Sequence, residues 1–179
     1  MYKRGHAGIG LIIYSVPMYF LILNGFVFFA GFGFLLMLAL VVVPDLDLVI
    51  PGFAHRGISH SFVMAFLVAI VMSIMAAVSL YFFGPLLMYF GIPFVPLVGF
   101  VFAISLLAML AHYAGDIITP AGVKLRKKPK YFPDSWIFSD KNYSLNLTYA
   151  SNPISNWVLY IIGWITALLM ALMALGFVF

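Results

Sequence analysis

Long apolar runs separated by short polar segments dominate the chain and predict an all-α, polytopic membrane helix bundle. A helix needs about 20 apolar residues to cross the hydrocarbon core of a bilayer. Five runs reach or approach that length, and they cover residues 7–23, 26–43, 62–83, 97–114 and 157–179. We therefore expect one integral membrane domain over residues 1–179, with about five transmembrane helices.

Prolines and glycines mark the expected ends of these runs. Pro44 should stop the second helix, because the residue before a proline avoids helical geometry. Gly84 and Pro85 should end the third helix. Pro17 lies inside the first run, where it predicts a kink. Residues 86–96 contain three further helix-disfavouring residues and predict a short interfacial helix followed by a loop.

The positive charges set the expected orientation. The nine Lys and Arg residues are Lys3, Arg4, Arg56, Lys124, Arg126, Lys127, Lys128, Lys130 and Lys141. All of them precede the first run, follow the second, or lie between the fourth and fifth. Because positively charged loops stay in the cytoplasm, the N-terminus and the loop 117–156 should lie inside and the C-terminus outside. The expected location is the plasma (inner) membrane.

Composition supports this class and narrows the chemistry. Hydrophobic residues make up 65% of the chain and charged residues 8%, whereas soluble domains carry about 25% charged residues. The chain has no cysteine, which excludes a disulfide framework and a thiolate metal site. Any metal must then be held by His, Asp and backbone or water oxygens. The expected partners are membrane lipid and a phosphoester substrate, with no nucleic acid and no identified protein partner.

All four histidines and three of the five aspartates lie at the predicted inner ends of the spans. His6 opens the first run, and Asp45 and Asp47 follow Pro44 at the end of the second. On a helix these aspartates would diverge, and on an extended segment they could face the same way. The sequence His-Arg-Gly-Ile-Ser-His-Ser at residues 55–61 leads into the third run. Gly57 and Ser59 of this block suit a turn and a helix N-cap.

His112 and Asp116 end the fourth run, four residues apart, so on a helix they share one face. Burying so many ionisable groups at a membrane boundary is costly unless they are paired or bind a cation. Imidazole and carboxylate ligands suit zinc, with manganese or iron also compatible, as one or two ions. The candidate ligands are His6, Asp45, His55, His60, His112 and Asp116.

Structural roles compete with these assignments at single positions. Asp47 suits a cap or an orienting role as well as direct ligation, and Arg56 suits a topology anchor as well as a phosphate-binding group. Ser59, Ser61 and Thr119 are typical of helix caps. The joint occurrence of His or Asp at four span ends on one face favours a metal site over a structural network.

The motifs resemble those of membrane-bound metal-dependent hydrolases of the YdjM type. The resemblance covers residues 6–122: an early His, then Pro-Asp-Leu-Asp, then His-Arg-Gly-Ile-Ser-His-Ser, then His-x-x-x-Asp-x-x-Thr-Pro-x-Gly. It implies a multi-span helical protein with metal-dependent hydrolase activity.

The order of these residues is also similar, more remotely, to that of zinc-dependent phospholipases C and related nucleases. Carried over by position, that similarity implies one ion held by Asp45, His60, His112 and Asp116. His6 would join Asp116 at a second ion. The chain lacks the later His and the His-x-x-x-Glu pair of that pattern, so it predicts no third ion.

Together these features predict a metal-dependent phosphoesterase that acts on a lipid or another amphipathic phosphoester at the cytoplasmic membrane face. Asp45 or Asp47 would be the general base, and Arg56 would bind the phosphate. The alternatives are an ion, proton or metal transporter and a non-catalytic membrane protein with a structural metal site. Residues 131–155 could fold over the site as a lid, and the alternation of Tyr143, Leu145, Leu147 and Tyr149 could form a strand within it.

Overall fold

The structure is a computed structural model that describes residues 1–48, 58–89, 94–125 and 141–177. Its α-helices are α1 (Lys3–Leu23), α2 (Val27–Leu40), α3 (Phe62–Tyr89), α4 (Phe94–Ile117) and α5 (Pro153–Ala174). Two 3₁₀ helices, Val43–Leu48 and Ile58–His60, flank the undescribed segment 49–57. The predicted all-α bundle is confirmed.

Five segments of the described residues are long and apolar enough to cross a membrane. The 14 residues of α2 alone are too short to do so, since a helix rises about 1.5 Å per residue. The 3₁₀ helix Val43–Leu48 extends this span to 22 residues. Its last turns carry Asp45 and Asp47, which places both carboxylates at the end of a membrane span.

Several helix ends differ from their predicted positions, and three of these differences have an identifiable reason. The expected end at Gly84 is wrong, because α3 runs through Pro85 to Tyr89. Proline costs one backbone hydrogen bond and a steric clash with the preceding turn, both local, and the strong helix formers that follow it continue the apolar run. Helix α4 begins at Phe94 with Pro96 in its first turn, where the missing N–H is not needed. Helix α5 begins at Pro153, capped by the Asn152 side chain, which accepts from Ile154 N at 3.0 Å.

Close packing of α1 against α5 depends on glycine. A Cβ atom added at Gly8 would lie 2.3 Å from the carbonyl oxygen of Leu159. A Cβ atom added at Gly163 would lie 2.4 Å from the carbonyl oxygen of Gly8. Small residues at helix contacts let backbones approach within a membrane, where apolar side chains gain little by leaving lipid. These two glycines therefore fix the position of the α1 N-terminus, which carries His6.

Helix α4 is the central element of the bundle. Half of its apolar window is buried, against 17% for α3 and 11% for α5. It packs against α1, α2 and α3, and the 3₁₀ helix Val43–Leu48 rests on its C-terminal end. One end of the bundle therefore brings together the start of α1, the end of the α2 span, the start of α3 and the end of α4.

The segment after α4 lies along the end of that helix without forming a strand. Val123 and Tyr143 form an isolated antiparallel bridge, and the Leu145 N–H donates to the Ile117 carbonyl at 2.7 Å. Within the described ranges no longer ladder follows, so the alternating residues 143–149 do not form the expected strand. Residues 131–140 of the proposed lid lie outside the described part of the chain.

Candidate metal centre

Five side chains from four parts of the chain meet at this end of the bundle, and we call them the His/Asp cluster. The cluster consists of His6, Asp45, His60, His112 and Asp116. The three histidines and Asp116 are fully buried, and Asp45 is 8% exposed. Distant span ends are thus brought into direct contact, as the sequence predicted.

A backbone carbonyl fixes the orientation of His112. Its Nδ1 atom lies 2.7 Å from the carbonyl oxygen of Val41. Since a carbonyl oxygen only accepts, Nδ1 must carry the proton and donate it. The lone pair is therefore on Nε2, which faces the interior of the cluster. Metal-binding histidines usually have this kind of hydrogen bond on the nitrogen away from the metal.

Ser59 and Asp47 orient His60 in the same way. The Ser59 hydroxyl donates to the Asp47 carboxylate, so its lone pair is free to accept from His60 Nδ1 at 2.9 Å. Asp47 Oδ2 lies 3.4 Å from the same nitrogen. His60 Nε2 is left with its lone pair toward His112 Nε2, 3.1 Å away. Carboxylate–histidine pairs of this kind raise the basicity of a metal ligand.

The remaining distances match the edges of a tetrahedral metal site. Ligand atoms bound to zinc at 2.0–2.1 Å in tetrahedral geometry lie about 3.3 Å apart. Asp116 Oδ2 is 3.1 Å from His60 Nε2 and 3.5 Å from His112 Nε2. Asp45 Oδ1 is 3.5 Å from His112 Nε2 and 3.9 Å from His60 Nε2. The ligand atoms of His60, His112 and Asp116 all lie within 4.8 Å of one another, as do those of His6, Asp45 and His112, so these residues could hold a metal ion.

His6 lies beside the other oxygens of the same two carboxylates. Its Nε2 atom is 3.6 Å from Asp116 Oδ1 and 3.8 Å from Asp45 Oδ2. The ring stacks on His112 with 3.7 Å between centroids. Neither ring nitrogen of His6 has a hydrogen-bond partner among the described residues. Unpaired buried nitrogens are costly, and ligation of a cation by Nε2 would remove that cost for one of the two.

The 3₁₀ geometry separates the roles of Asp45 and Asp47. With three residues per turn, side chains two positions apart diverge by about 120°. Asp45 accordingly reaches the Nε2 side of His60, and Asp47 reaches the Nδ1 side. The structure thus shows the divergent arrangement rather than the extended one. It places Asp47 behind the His60 ring, where it orients that ring.

Two residues that shape this site could not be recognised from the sequence. The Tyr113 hydroxyl donates to the carbonyl oxygens of Ser59 and Ser61, at 3.0 Å each, and holds the segment that carries His60. A Cβ atom added at Gly115 would lie 2.7 Å from His6 Nδ1, so only glycine leaves room for that ring. Both residues look like ordinary helix residues until their neighbours are known.

The residues predicted to cap helices have different roles in the structure. The Ser61 hydroxyl accepts from Met64 N at 3.3 Å and caps α3, the role expected of Ser59. The Thr119 hydroxyl donates to the Asp116 carbonyl at 2.8 Å, as a helix-end residue does. The candidate ligand His55 and the candidate phosphate-binding Arg56 lie outside the described residues.

The whole chain matches one known protein family. The YdjM inner membrane protein family matches residues 1–179. The chain belongs to this family. No curated protein and no solved structure shows significant similarity to it. The likeness to zinc-dependent phospholipases C therefore stays a prediction.

Membership of the YdjM family agrees with the helices of the bundle. The family is one of inner membrane proteins, and five helices of this member are long and apolar enough to span a bilayer. The protein is a multi-pass membrane protein whose buried His and Asp residues could hold a metal ion.

Proposed function

We propose that this YdjM-family protein is a metal-dependent hydrolase of phosphoesters carried by lipids or other amphipathic molecules. The observation that supports the proposal is the geometry of the His/Asp cluster: two imidazole Nε2 atoms and a carboxylate oxygen lie 3.1 to 3.5 Å apart, each imidazole oriented from behind. Such a site costs stability unless it holds a cation, and membrane-embedded ionisable residues are usually retained for function.

Asp45, His60, His112 and Asp116 would hold the first ion, and His6 would join Asp116 at a second. Zinc is the best match to these ligands, and manganese or iron is compatible. A bound divalent cation would polarise a phosphoryl oxygen and lower the pKa of a bound water.

The protein's own residues would complete the reaction. Of the two candidate bases, Asp45 faces the Nε2 atoms of the cluster, so it would accept the proton of the attacking water. Asp47 would hold His60 in place from the other side of the ring. Arg56, four residues before His60 in the chain, would bind the phosphate through its paired N–H donors.

Polar residues toward the other end of the bundle give little support to a transporter. A transport path needs polar groups that continue across the membrane. The hydroxyls of Ser15, Ser73 and Ser79 donate to carbonyls of their own helices at 2.7 to 2.8 Å. These hydroxyls are satisfied locally, and we therefore favour hydrolysis over transport.

We place the cluster on the cytoplasmic side of the membrane. The Lys and Arg residues precede α1, follow the α2 span, or follow α4. These are the same helix ends that meet at the cluster. By the rule that positive loops stay inside, a substrate would enter from the inner leaflet.

Metal analysis of the purified protein tests the proposal, together with turnover of an alkyl phosphodiester in zinc- or manganese-loaded nanodiscs. We expect the wild type to retain at least one metal ion and to hydrolyse the ester. His112→Ala should lose both metal and turnover. Ser105→Ala, a small change at a buried position of the same helix, should lose neither.

Three other results would each contradict a different part of the proposal. Full metal content in both His112→Ala and Asp116→Ala would refute the cluster as the metal site. Retained metal without turnover of any phosphoester in the wild type would indicate a structural site, since such sites leave no open coordination position. Metal flux into liposomes without hydrolysis would indicate a transporter.

A further inference from the structure

A cavity lies directly beside the His/Asp cluster. Its volume is about 170 Å³, and it is a partly open cleft between the 3₁₀ helix Val43–Leu48, α3 and α4. Its apolar lining consists of Val43, Pro44, Leu46, Met64, Val68 and Met109. Nothing in the mechanism proposed above uses this space.

The polar end of the cavity touches the groups that orient His60. Among the described residues, Asp47 and Ser59 are the polar residues that line it, and they are hydrogen-bonded to each other. Ser59 in turn contacts His60 Nδ1 at 2.9 Å. The cavity therefore adjoins the Nδ1 side of His60, where Ser59 and Asp47 lie.

The apolar end of the cavity lies within the lipid-facing part of the bundle. On α3, Leu67, next to the lining residue Val68, is 49% exposed. In a membrane-spanning helix such side chains face acyl chains. Leu46, at the other wall, is also 49% exposed. The surroundings of the cavity are thus hydrocarbon, while its polar end adjoins the candidate metal centre.

The volume and the apolar lining of the cavity indicate which kind of group it can hold. An apolar cavity of about 150 Å³ stays dry and accepts a six-carbon ring, so this one has room for about six carbons. Two of the lining residues are methionines, whose unbranched side chains adapt to a flexible guest. Among the residues that the structure describes, water would find two polar partners there, and these already bond to each other.

We propose that the cavity between Val43–Leu48, α3 and α4 receives about six carbons of an alkyl chain of the substrate, while the phosphoester lies at the His/Asp cluster. This inference rests on the proposed hydrolase function. It makes the protein selective for phosphoesters with a linear alkyl chain of at least that length. Val68 and Met64 become residues that set this selectivity.

The experiment measures binding of alkylphosphonates, which are not hydrolysed, to the metal-loaded protein in nanodiscs by calorimetry. The series runs from ethyl to octyl with one headgroup. Val68→Phe adds about four carbon atoms to the cavity wall, and Val71→Phe makes the same change on the exposed side of α3. Partitioning into the bilayer is the same for both variants, so the ratio of their dissociation constants reports the cavity alone.

We expect affinity to rise about fourfold per methylene in the wild type and in Val71→Phe, up to about six carbons. In Val68→Phe the rise should stop about four carbons earlier. The ratio of dissociation constants for the hexyl compound should then be on the order of a hundredfold, with the ethyl compound little affected.

Equal chain-length dependence in the two variants would overturn the inference while leaving metal binding and hydrolysis of short esters intact. Absence of phosphonate binding and of turnover in every variant would instead overturn the proposed function and the inference with it. Met64→Ala supplies an independent measurement if Val68→Phe fails to fold. Its enlarged cavity should extend the rise in affinity by two or three carbons, and an unchanged limit would count against the inference.

Discussion

The hydrogen bonds behind His60 make Asp47→Asn the most informative substitution. Asparagine keeps the shape of the side chain and can still accept from Ser59. It loses the negative charge that faces His60 Nδ1 at 3.4 Å. The change therefore leaves every candidate ligand in place and removes only the charge that orients one of them.

The size of the effect follows from these contacts. A hydrogen bond to a charged group contributes about 1.5–3 kcal/mol, and loss of a group that orients a metal-binding histidine typically costs about 10–100-fold in metal affinity. The two estimates agree on about 2 kcal/mol, which corresponds to an increase of about thirtyfold in the dissociation constant. Asp116→Asn, which changes a ligand, should weaken binding much further.

The assay is competition between the detergent-purified protein and a chromophoric chelator for zinc. Stoichiometry should stay at the wild-type value in Asp47→Asn while the dissociation constant rises. Ser79→Ala, an exposed and locally satisfied position on α3, reports any general effect of mutation on the preparation. A wild-type dissociation constant in Asp47→Asn would refute the orienting role. A loss as large as that of Asp116→Asn would make Asp47 a ligand.

Three further predictions test the bundle and its orientation. Gly8→Ala should lower the free energy of unfolding by about 1–3 kcal/mol, because the added Cβ has no room against α5. The change is measured as a lower melting temperature, and Gly31→Ala, which has open space around it, should change that temperature little. Tyr113→Phe should cost about 1–3 kcal/mol by leaving buried carbonyls without their donor, whereas Tyr81→Phe, at an 80% exposed position, should be neutral in the same melting assay. Asn24→Cys, the sole cysteine in that variant, should react with an impermeant maleimide from outside intact cells; reaction only in inside-out vesicles would reverse the proposed orientation.

The pattern of apolar runs was sufficient to predict the helices, because in lipid every backbone polar group must be bonded within its own segment. Helix ends were harder to place. Pro85 reads as a stop in the sequence, yet α3 passes through it. The cost of one lost backbone bond is local, whereas the apolar run that continues the helix is a property of the whole segment.

The candidate site was also predictable in part. Clustering of the His/Asp residues follows from counting spans, since helix ends on one side of a membrane are confined to one layer. The spacing of His112 and Asp116 fixed their shared face, and their side chains do lie 3.5 Å apart.

Only the tertiary structure showed which role each residue has within the site. Asp45 and Asp47 are equivalent in the sequence, and the 3₁₀ turn that carries them sends one to each side of the His60 ring. The Val41 carbonyl that orients His112 and the apolar cavity beside Ser59 are likewise invisible in the chain. The physical reason is that residue type and spacing determine which face of an element a side chain occupies. Which side chain or carbonyl it then contacts depends on how separate elements pack against each other.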